Sequence, residues 1–284
     1  MAFGSPAYGC RMNETVQYEV DGAVATITLN RPEHLNTMSA DLLAGTTEAL
    51  EDAAADQDVR AVILTGAGRG FCAGGDLGNM AARGGIGEGG PPPPPRPGRV
   101  ERDIAGLRAN MRTSQLLHDM PKPTIAAING PCAGAGLAWA CAADIRYCST
   151  SAVFNTAFMT AGLSGDFGGT WSLPRIVGPA KARELYLLAE KFRADDAERI
   201  GLVTKVLPDD ELLSYVRSVA DRLAGFAPLT LRAIKANLND ALEVGFAEML
   251  DREADRHTRC GRTEDAREAA KAFLEKRPPV FHGR

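Results

Sequence analysis

The sequences TGAGRGFCAGGDL at residues 65–77 and INGPCAGAGL at residues 128–137 decide the fold of this chain. Each follows a short apolar run, at 61–65 and 124–128, of the kind that forms a buried strand in a parallel sheet. Glycine at this density lets the backbone approach a ligand closely and leaves amide N–H groups free to bind it. If the two turns converge, two amides can point at one developing oxyanion. The sequence therefore predicts a site for chemistry on a carbonyl or thioester.

The segments around these turns predict a mixed α/β protein. Residues 16–20 and 23–29 alternate as strands around Asp21-Gly22, which is typical of a hairpin. Ser39 is placed to cap a helix that continues to about Asp56. Strand, helix and strand in this order favour a largely parallel sheet. Further strands are predicted at 144–148 and 152–154, and an apolar helix at about 136–143.

The pattern becomes all-helical from Pro208, with helices predicted near 208–224, 228–242, 246–258 and 262–275. We therefore divide the chain into a core at 1–207 and a helical C-terminal region at 208–284. Residues 81–99 contain almost nothing that can be buried, since a glycine-rich stretch is followed there by five consecutive prolines. This composition predicts a flexible surface insertion within the core.

Composition excludes several classes of function. The formal net charge of −4 argues against nucleic acid or an anionic membrane as the main partner. No apolar run approaches the ~20 residues that span a bilayer, and the N-terminus does not resemble a secretory signal, so we expect a cytoplasmic protein. The six cysteines contain no C-x-x-C pair and are expected to be buried apolar residues. The four histidines show no metal-ligand spacing, so no metal site is predicted.

Asp166 is the candidate acid–base residue. It lies among glycines and aromatic residues in GLSGDFGGTW at 162–171. Apolar surroundings would raise its pKa and make it a better proton acceptor at neutral pH. The alternative is that Asp166 caps the helix that follows, and the sequence leaves both interpretations open. Asp76 is interpreted as a residue that fixes its own turn.

Taken together, these motifs resemble the crotonase superfamily, also called the enoyl-CoA hydratase/isomerase family. The match extends over nearly the whole chain. It is carried by LNRP at 29–32 with Asn36 downstream, FCAGGDL at 71–77, INGP at 128–131, Gly162-Leu163, GTWSLPR at 169–175 and Gly201-Leu202-Val203.

The resemblance implies a spiral of ββα units, a helical C-terminal region that builds homotrimers or hexamers, and an acyl-CoA thioester as ligand, with no separate cofactor. By motif position, the amides of Ala73 and Ala135 would form the oxyanion hole, with Asp166 as the catalytic acid–base. The implied substrate contacts are Arg31, His34, Leu35, Cys72, Gly74, Asp76, Leu77, Gly134 and Phe158, together with Phe273 and Lys276 near the nucleotide end of CoA.

Two departures from the family pattern bear on the reaction. Hydratases of the family use two glutamates, at positions that Ala138 and Phe158 occupy here. Neither side chain can move a proton. The leading hypothesis is therefore double-bond isomerisation of an enoyl-CoA with Asp166 as the single proton shuttle. The alternatives are an enoyl-CoA hydratase with relocated acid–base residues and a non-catalytic acyl-CoA binding subunit.

Overall fold

The computed structural model describes residues 11–12, 14–76 and 98–284. Leu77 and residues 81–97 of the predicted insertion lie outside the described residues. The strands are β1 (Arg11–Met12), β2 (Val16–Asp21), β3 (Val24–Leu29), β4 (Ala61–Gly66), β5 (Thr124–Ile128), β6 (Cys132–Ala133), β7 (Ile145–Ser149), β8 (Val153–Asn155), β9 (Phe192–Arg193) and β10 (Lys205–Leu207).

A single 3₁₀ turn (Pro32–His34) precedes the α-helices of the described part of the chain. These are α1 (Ala40–Ala55), α2 (Arg99–Asn110), α3 (Arg112–Asp119), α4 (Ala135–Ala142), α5 (Phe158–Ala161), α6 (Gly169–Val177), α7 (Pro179–Leu188), α8 (Ala194–Arg199), α9 (Leu212–Ala224), α10 (Pro228–Asp240), α11 (Phe246–Cys260) and α12 (Glu264–Glu275).

A seven-stranded sheet in the order β1-β2-β3-β4-β5-β7-β10 forms the centre of the described structure. The predicted hairpin is confirmed: β2 and β3 pair antiparallel, whereas β3, β4, β5, β7 and β10 pair in parallel. A smaller sheet, in the order β6-β8-β9, lies beside the second glycine turn. The prediction of an α/β fold with a parallel core is confirmed.

Every residue of β4 and β5 is buried, because both faces of the sheet are covered. Successive side chains of a strand point to opposite faces. Val62 and Leu64 accordingly pack in the cluster that contains α1 and α4, whereas Ala61 and Ile63 pack in a separate cluster with α9. The predicted cap of α1 is confirmed, since the Ser39 hydroxyl accepts from the Leu42 amide at 3.2 Å.

The helical region after Pro208 begins on the sheet itself. Leu212, Val216 and Ala220 of α9 are fully buried against the second face of the sheet. Arg217 of the same helix pairs with Asp21 of the first hairpin at 2.7 Å. The first helix of the predicted C-terminal region is therefore part of the core packing.

Among the described cysteines, all five are free thiols, and four of them are buried. The described residues contain no cluster of His, Cys, Asp or Glu side chains that could hold a metal ion. None of the described helices is long and apolar enough to cross a membrane.

Candidate active site

The two glycine turns meet in the structure. Cys72 and Cys132 form a parallel bridge between them. Gly74 has φ +91°, and a Cβ atom built on it would lie 2.8 Å from the Ala133 carbonyl oxygen and 3.5 Å from the Ala135 nitrogen. Only glycine allows this approach, because a side chain at Gly74 would collide with the second turn. The predicted convergence of the turns is confirmed.

The backbone amides of the turns differ in what they bind. The Ala73 N–H donates to the Leu35 carbonyl at 3.0 Å, so this amide is occupied within the fold. This contradicts the expectation that Ala73 offers a free donor. The N–H groups of Gly75 and Ala135 make no hydrogen bond to any described residue. Ala135 is the first residue of α4, where backbone N–H groups lack intrahelical partners.

A cavity of about 410 Å³ lies where the turns meet. Of the predicted site residues, those that line it are Ala73, Gly74, Asp76, Gly134, Ala135, Phe158 and Asp166. Gly75 lines it as well. The structure thus brings the candidate base and both unpaired amides to the wall of one cavity.

The Asp166 side chain is not a helix cap. Gly168 occupies the cap position of α6 and no side chain caps this helix. The Oδ1 atom of Asp166 is buried and has no hydrogen-bond partner among the described residues. Burial raises the pKa of Asp166 from 3.8 to about 6, because the charged form loses hydration without gaining a donor. The capping interpretation is wrong, and the predicted direction of the pKa shift is confirmed.

The residues at the two hydratase glutamate positions are apolar and buried, and Phe158 lines the cavity whereas Ala138 does not. Phe158 is buried and its ring stacks on that of Tyr186, with 6.1 Å between centroids. Ala138 is also buried. Asp76, the other ionisable residue among the described lining, lies 3.8 Å from the Arg31 guanidinium. Asp166 is therefore the one described acid in the lining that has no cation beside it.

The predicted substrate contacts at residues 31, 34 and 35 do not line the cavity in the described structure. Arg31 donates to the Thr37 carbonyl at 2.8 Å and lies beside Asp76. His34 is largely exposed next to Glu33. Leu35 has φ +49° and its carbonyl accepts from Ala73. Arg31, His34 and Leu35 are absent from the cavity lining among the described residues.

Three further predicted contacts are not brought to the cavity. The Cys72 side chain is completely buried, its amide donates to the Pro131 carbonyl, and Cys72 is absent from the described cavity lining. Phe273 is 82% exposed on α12, and Lys276 is exposed at the end of the same helix. Neither lines the cavity within this chain.

Lining residues from three helices were missed in the sequence analysis. They are Met38, Ser39, Ala40 and Leu43 at the start of α1, Leu107 and Asn110 on α2, and Thr160 and Ala161 on α5. Leu107 and Asn110 are three residues apart and therefore share one helix face. That spacing was the available signal, but α2 has no buried residue and so shows no apolar stripe.

Comparison with known proteins assigns the family. The model of the enoyl-CoA hydratase/isomerase family matches residues 19–91 and 100–284. The chain is 38% identical to 1,2-epoxyphenylacetyl-CoA isomerase from Escherichia coli over 275 residues, which cover 96% of this chain and 100% of that relative. It is 34% identical to short-chain-enoyl-CoA hydratase from Clostridium acetobutylicum, over 91% of this chain and 94% of that relative.

A crystal structure of an enoyl-CoA hydratase from Polaromonas is also similar, with a TM-score of 0.85 and 32% identity over 94% of this chain and 99% of that one. The sequence match, the shared fold and the convergent glycine turns agree with one another. The chain is thus an enzyme of the enoyl-CoA hydratase/isomerase family, the crotonase superfamily, whose members act on acyl-CoA thioesters.

Proposed function

We propose that this enzyme isomerises the double bond of an enoyl-CoA, with Asp166 as the single proton shuttle. The amides of Gly75 and Ala135 replace the predicted pair of Ala73 and Ala135 as donors to the thioester oxygen. The observation that carries the proposal is the half-buried Asp166 carboxylate in the cavity wall, whose Oδ1 atom is buried and has no hydrogen-bond partner among the described residues.

The reaction needs one group that accepts a proton and returns it. Asp166 takes a proton from the carbon alpha to the thioester of a β,γ-enoyl-CoA, so the C–H bond breaks and a carboxyl O–H bond forms. The electron pair moves to the thioester oxygen, where two backbone donors each lower the barrier by about 3 kcal/mol. Asp166 then releases its proton to the gamma carbon, which gives the conjugated α,β-enoyl-CoA.

The pKa of Asp166 suits both halves of this cycle. A carboxyl group with a pKa of about 6 is mostly ionised at neutral pH and is a stronger base than an ordinary aspartate. It remains acidic enough to return the proton. No other group in the described lining is required, and the mechanism uses only protein groups and the CoA ester itself.

The two relatives do not agree on one reaction. The E. coli relative is named for isomerisation of 1,2-epoxyphenylacetyl-CoA, and the C. acetobutylicum relative is named as a short-chain-enoyl-CoA hydratase. Hydration also requires a positioned water, and the family positions that hold it are the apolar Ala138 and Phe158 here. This difference favours isomerisation over a hydratase with relocated residues. An unpaired acid in the cavity likewise favours catalysis over a binding subunit.

The decisive experiment follows the alpha protons of an acyl-CoA in deuterated solvent, comparing wild type with Asp166→Asn. We expect exchange in the wild type and its loss in Asp166→Asn, while Asp76→Asn, which changes the lining acid paired with Arg31, retains exchange. Undiminished exchange in Asp166→Asn would remove Asp166 from the mechanism. Loss of the conjugated thioester absorbance of crotonyl-CoA on incubation would instead indicate hydration.

We also propose that the enzyme assembles as a homotrimer or hexamer. Large apolar side chains are exposed on the C-terminal helices, including Leu238 (65%), Phe246 (80%) and Phe273 (82%). Such a surface is costly to leave in water and is typical of an interface. Light scattering after size exclusion measures the assembly directly, and a monomer at micromolar concentration would contradict this part of the proposal.

A further inference from the structure

A second cavity of about 270 Å³ lies at the far end of α4 from the oxyanion donors. Its wall includes Met111, Ser114, His118, Ala142, Phe167 and Trp171. Phe167 lines this cavity and the active-site cavity alike. The two spaces are therefore neighbours, with the Phe167 side chain between them.

The length of α4 gives the distance between the two cavities. Ala135 at the start of α4 lines the active-site cavity and Ala142 at its end lines the second one. Seven helical steps correspond to about 10 Å. On α2, Leu107 lines the first cavity, and Met111, immediately after the helix, lines the second. Both elements thus run from one cavity to the other.

Ser114 is the unusual member of the second wall. Its side chain is 8% exposed, and its hydroxyl is buried without a hydrogen-bond partner among the described residues. Leaving such a group unpaired is unfavourable, because the hydroxyl has lost its hydration without gaining a partner. Ser172 lines the same cavity and is equally buried, but its hydroxyl donates to the Gly168 carbonyl at 3.2 Å. The difference marks Ser114 as a group available to a ligand.

The rest of the wall combines apolar surface from Met111, Phe167 and Trp171 with exposed polar side chains, which are those of Arg108, Gln115 and Asp119. The Trp171 ring is held by the Arg175 guanidinium, 3.9 Å from its centroid, and lies edge-on to His118, with 5.3 Å between ring centroids. The buried part of the wall is formed by Ser114, Ala142, Phe167 and Ser172. A ligand that fits against this part is apolar along its length and carries one neutral hydrogen-bonding group.

We infer that the second cavity is a distal subsite for the acyl group, selecting a medium-length acyl chain with a hydroxyl or carbonyl oxygen near its far end. The inference rests on the proposed function, since the thioester is placed at Ala135 and the chain passes Phe167. The buried Ser114 hydroxyl bonds the distal oxygen. The acyl chain extends about 10 Å from the thioester, which is the length of α4.

The test measures Kd by calorimetry for two saturated acyl-CoA esters whose chains are about 10 Å long, the length of α4. One chain ends in a methyl group and the other carries a terminal hydroxyl. We expect wild type to prefer the hydroxylated ester about tenfold, equivalent to one hydrogen bond of about 1.4 kcal/mol. Ser114→Ala should abolish this preference, and the matched variant Ser172→Ala should retain it.

The outcomes separate this inference from the proposed function, because binding of saturated esters does not depend on proton transfer. Equal affinity of the wild type for the two esters, or a preference that survives Ser114→Ala, overturns the distal subsite alone. Absence of binding by either ester overturns the distal subsite together with the acyl-CoA site. Loss of alpha-proton exchange bears only on the role of Asp166.

Discussion

Asp144 and Asp166 are two aspartates with opposite surroundings. One Asp144 oxygen accepts from the Thr124 amide at 2.7 Å, the Thr124 hydroxyl at 3.0 Å and the Lys235 ammonium at 2.8 Å. Asp166 has a buried oxygen with no donor in the described structure. A carboxylate oxygen that accepts three hydrogen bonds ties the surrounding elements together and holds the fold. A carboxylate without donors is left available for a proton.

The backbone amides show the same contrast. The Ala73 N–H is occupied by the Leu35 carbonyl and ties the first turn to the segment before α1. The Ala135 N–H is unpaired among the described residues and lies at the cavity. Hydrogen-bond occupancy, more than residue type or burial, thus separates groups that build this fold from groups that can act on a ligand.

The largest effect is expected for Asp166→Asn. General acid–base groups contribute about 10²–10⁴-fold, so we expect kcat for β,γ-enoyl-CoA isomerisation to fall about 10³-fold. The melting temperature should not fall, because no donor to Asp166 is lost. Activity assays and thermal melts of the same preparation check both statements. A variant with lowered stability would indicate that Asp166 holds the fold as Asp144 does.

A smaller loss of activity is expected for Ala135→Pro. Proline fits the first position of a helix and removes the N–H group there. Loss of one oxyanion donor should lower kcat about 10²-fold. The far-ultraviolet circular dichroism spectrum should be unchanged. Wild-type kcat in a folded Ala135→Pro variant would show that this amide does not serve the reaction.

Asp144→Asn is expected to change stability and not the chemistry. Lys235 is 8% exposed and would lose its anionic partner. Lys235 is buried but Asp144 is partly exposed, so the loss should be smaller than for a fully buried pair. Because asparagine still accepts hydrogen bonds, we expect a loss of about 1–2 kcal/mol in the free energy of unfolding. Urea denaturation measures it, and adding Lys235→Met should recover part of the loss.

The pH dependence gives the smallest effects. Because the active form of Asp166 is ionised, kcat/KM should fall with unit slope below its pKa of about 6. A pKa raised by folding means that the folded state binds the proton more tightly. The free energy of unfolding of wild type should therefore decrease, relative to Asp166→Asn, as pH rises from 3.8 through about 6. If the difference in free energy of unfolding between wild type and Asp166→Asn did not change with pH, the Asp166 carboxylate would be exposed to water in the folded state.

Much of the fold could be predicted because local signals and buried runs agree. The Asp21-Gly22 hairpin, the Ser39 cap and the apolar runs of β4 and β5 each combine a turn or cap residue with a matching hydrophobic pattern. Helices α2 and α3 were not predicted. No residue of α2 is buried, so its sequence has no stripe to recognise. The two-residue strands β6 and β9 of the second sheet leave equally little signal, whereas β8 was predicted at 152–154.

The site was predictable in its residues and less so in its hydrogen bonds. Asp166 stood out because its neighbours are apolar or glycine. Which amide of the first turn is free could not be read from the sequence, since the acceptor of the Ala73 N–H is Leu35, far away along the chain. Likewise, nothing local distinguishes the unpaired Ser114 from the paired Ser172.

The position of α9 limits how this enzyme can be recombined with its relatives. Its buried side chains cover a face of the sheet, and Arg217 reaches the first hairpin. A chimaera joined at residue 208 would replace α9 by a relative's helix, whose buried side chains are suited to a different sheet. A junction at 225–227, between α9 and α10, would keep the native α9 on the sheet and exchange only α10, α11 and α12.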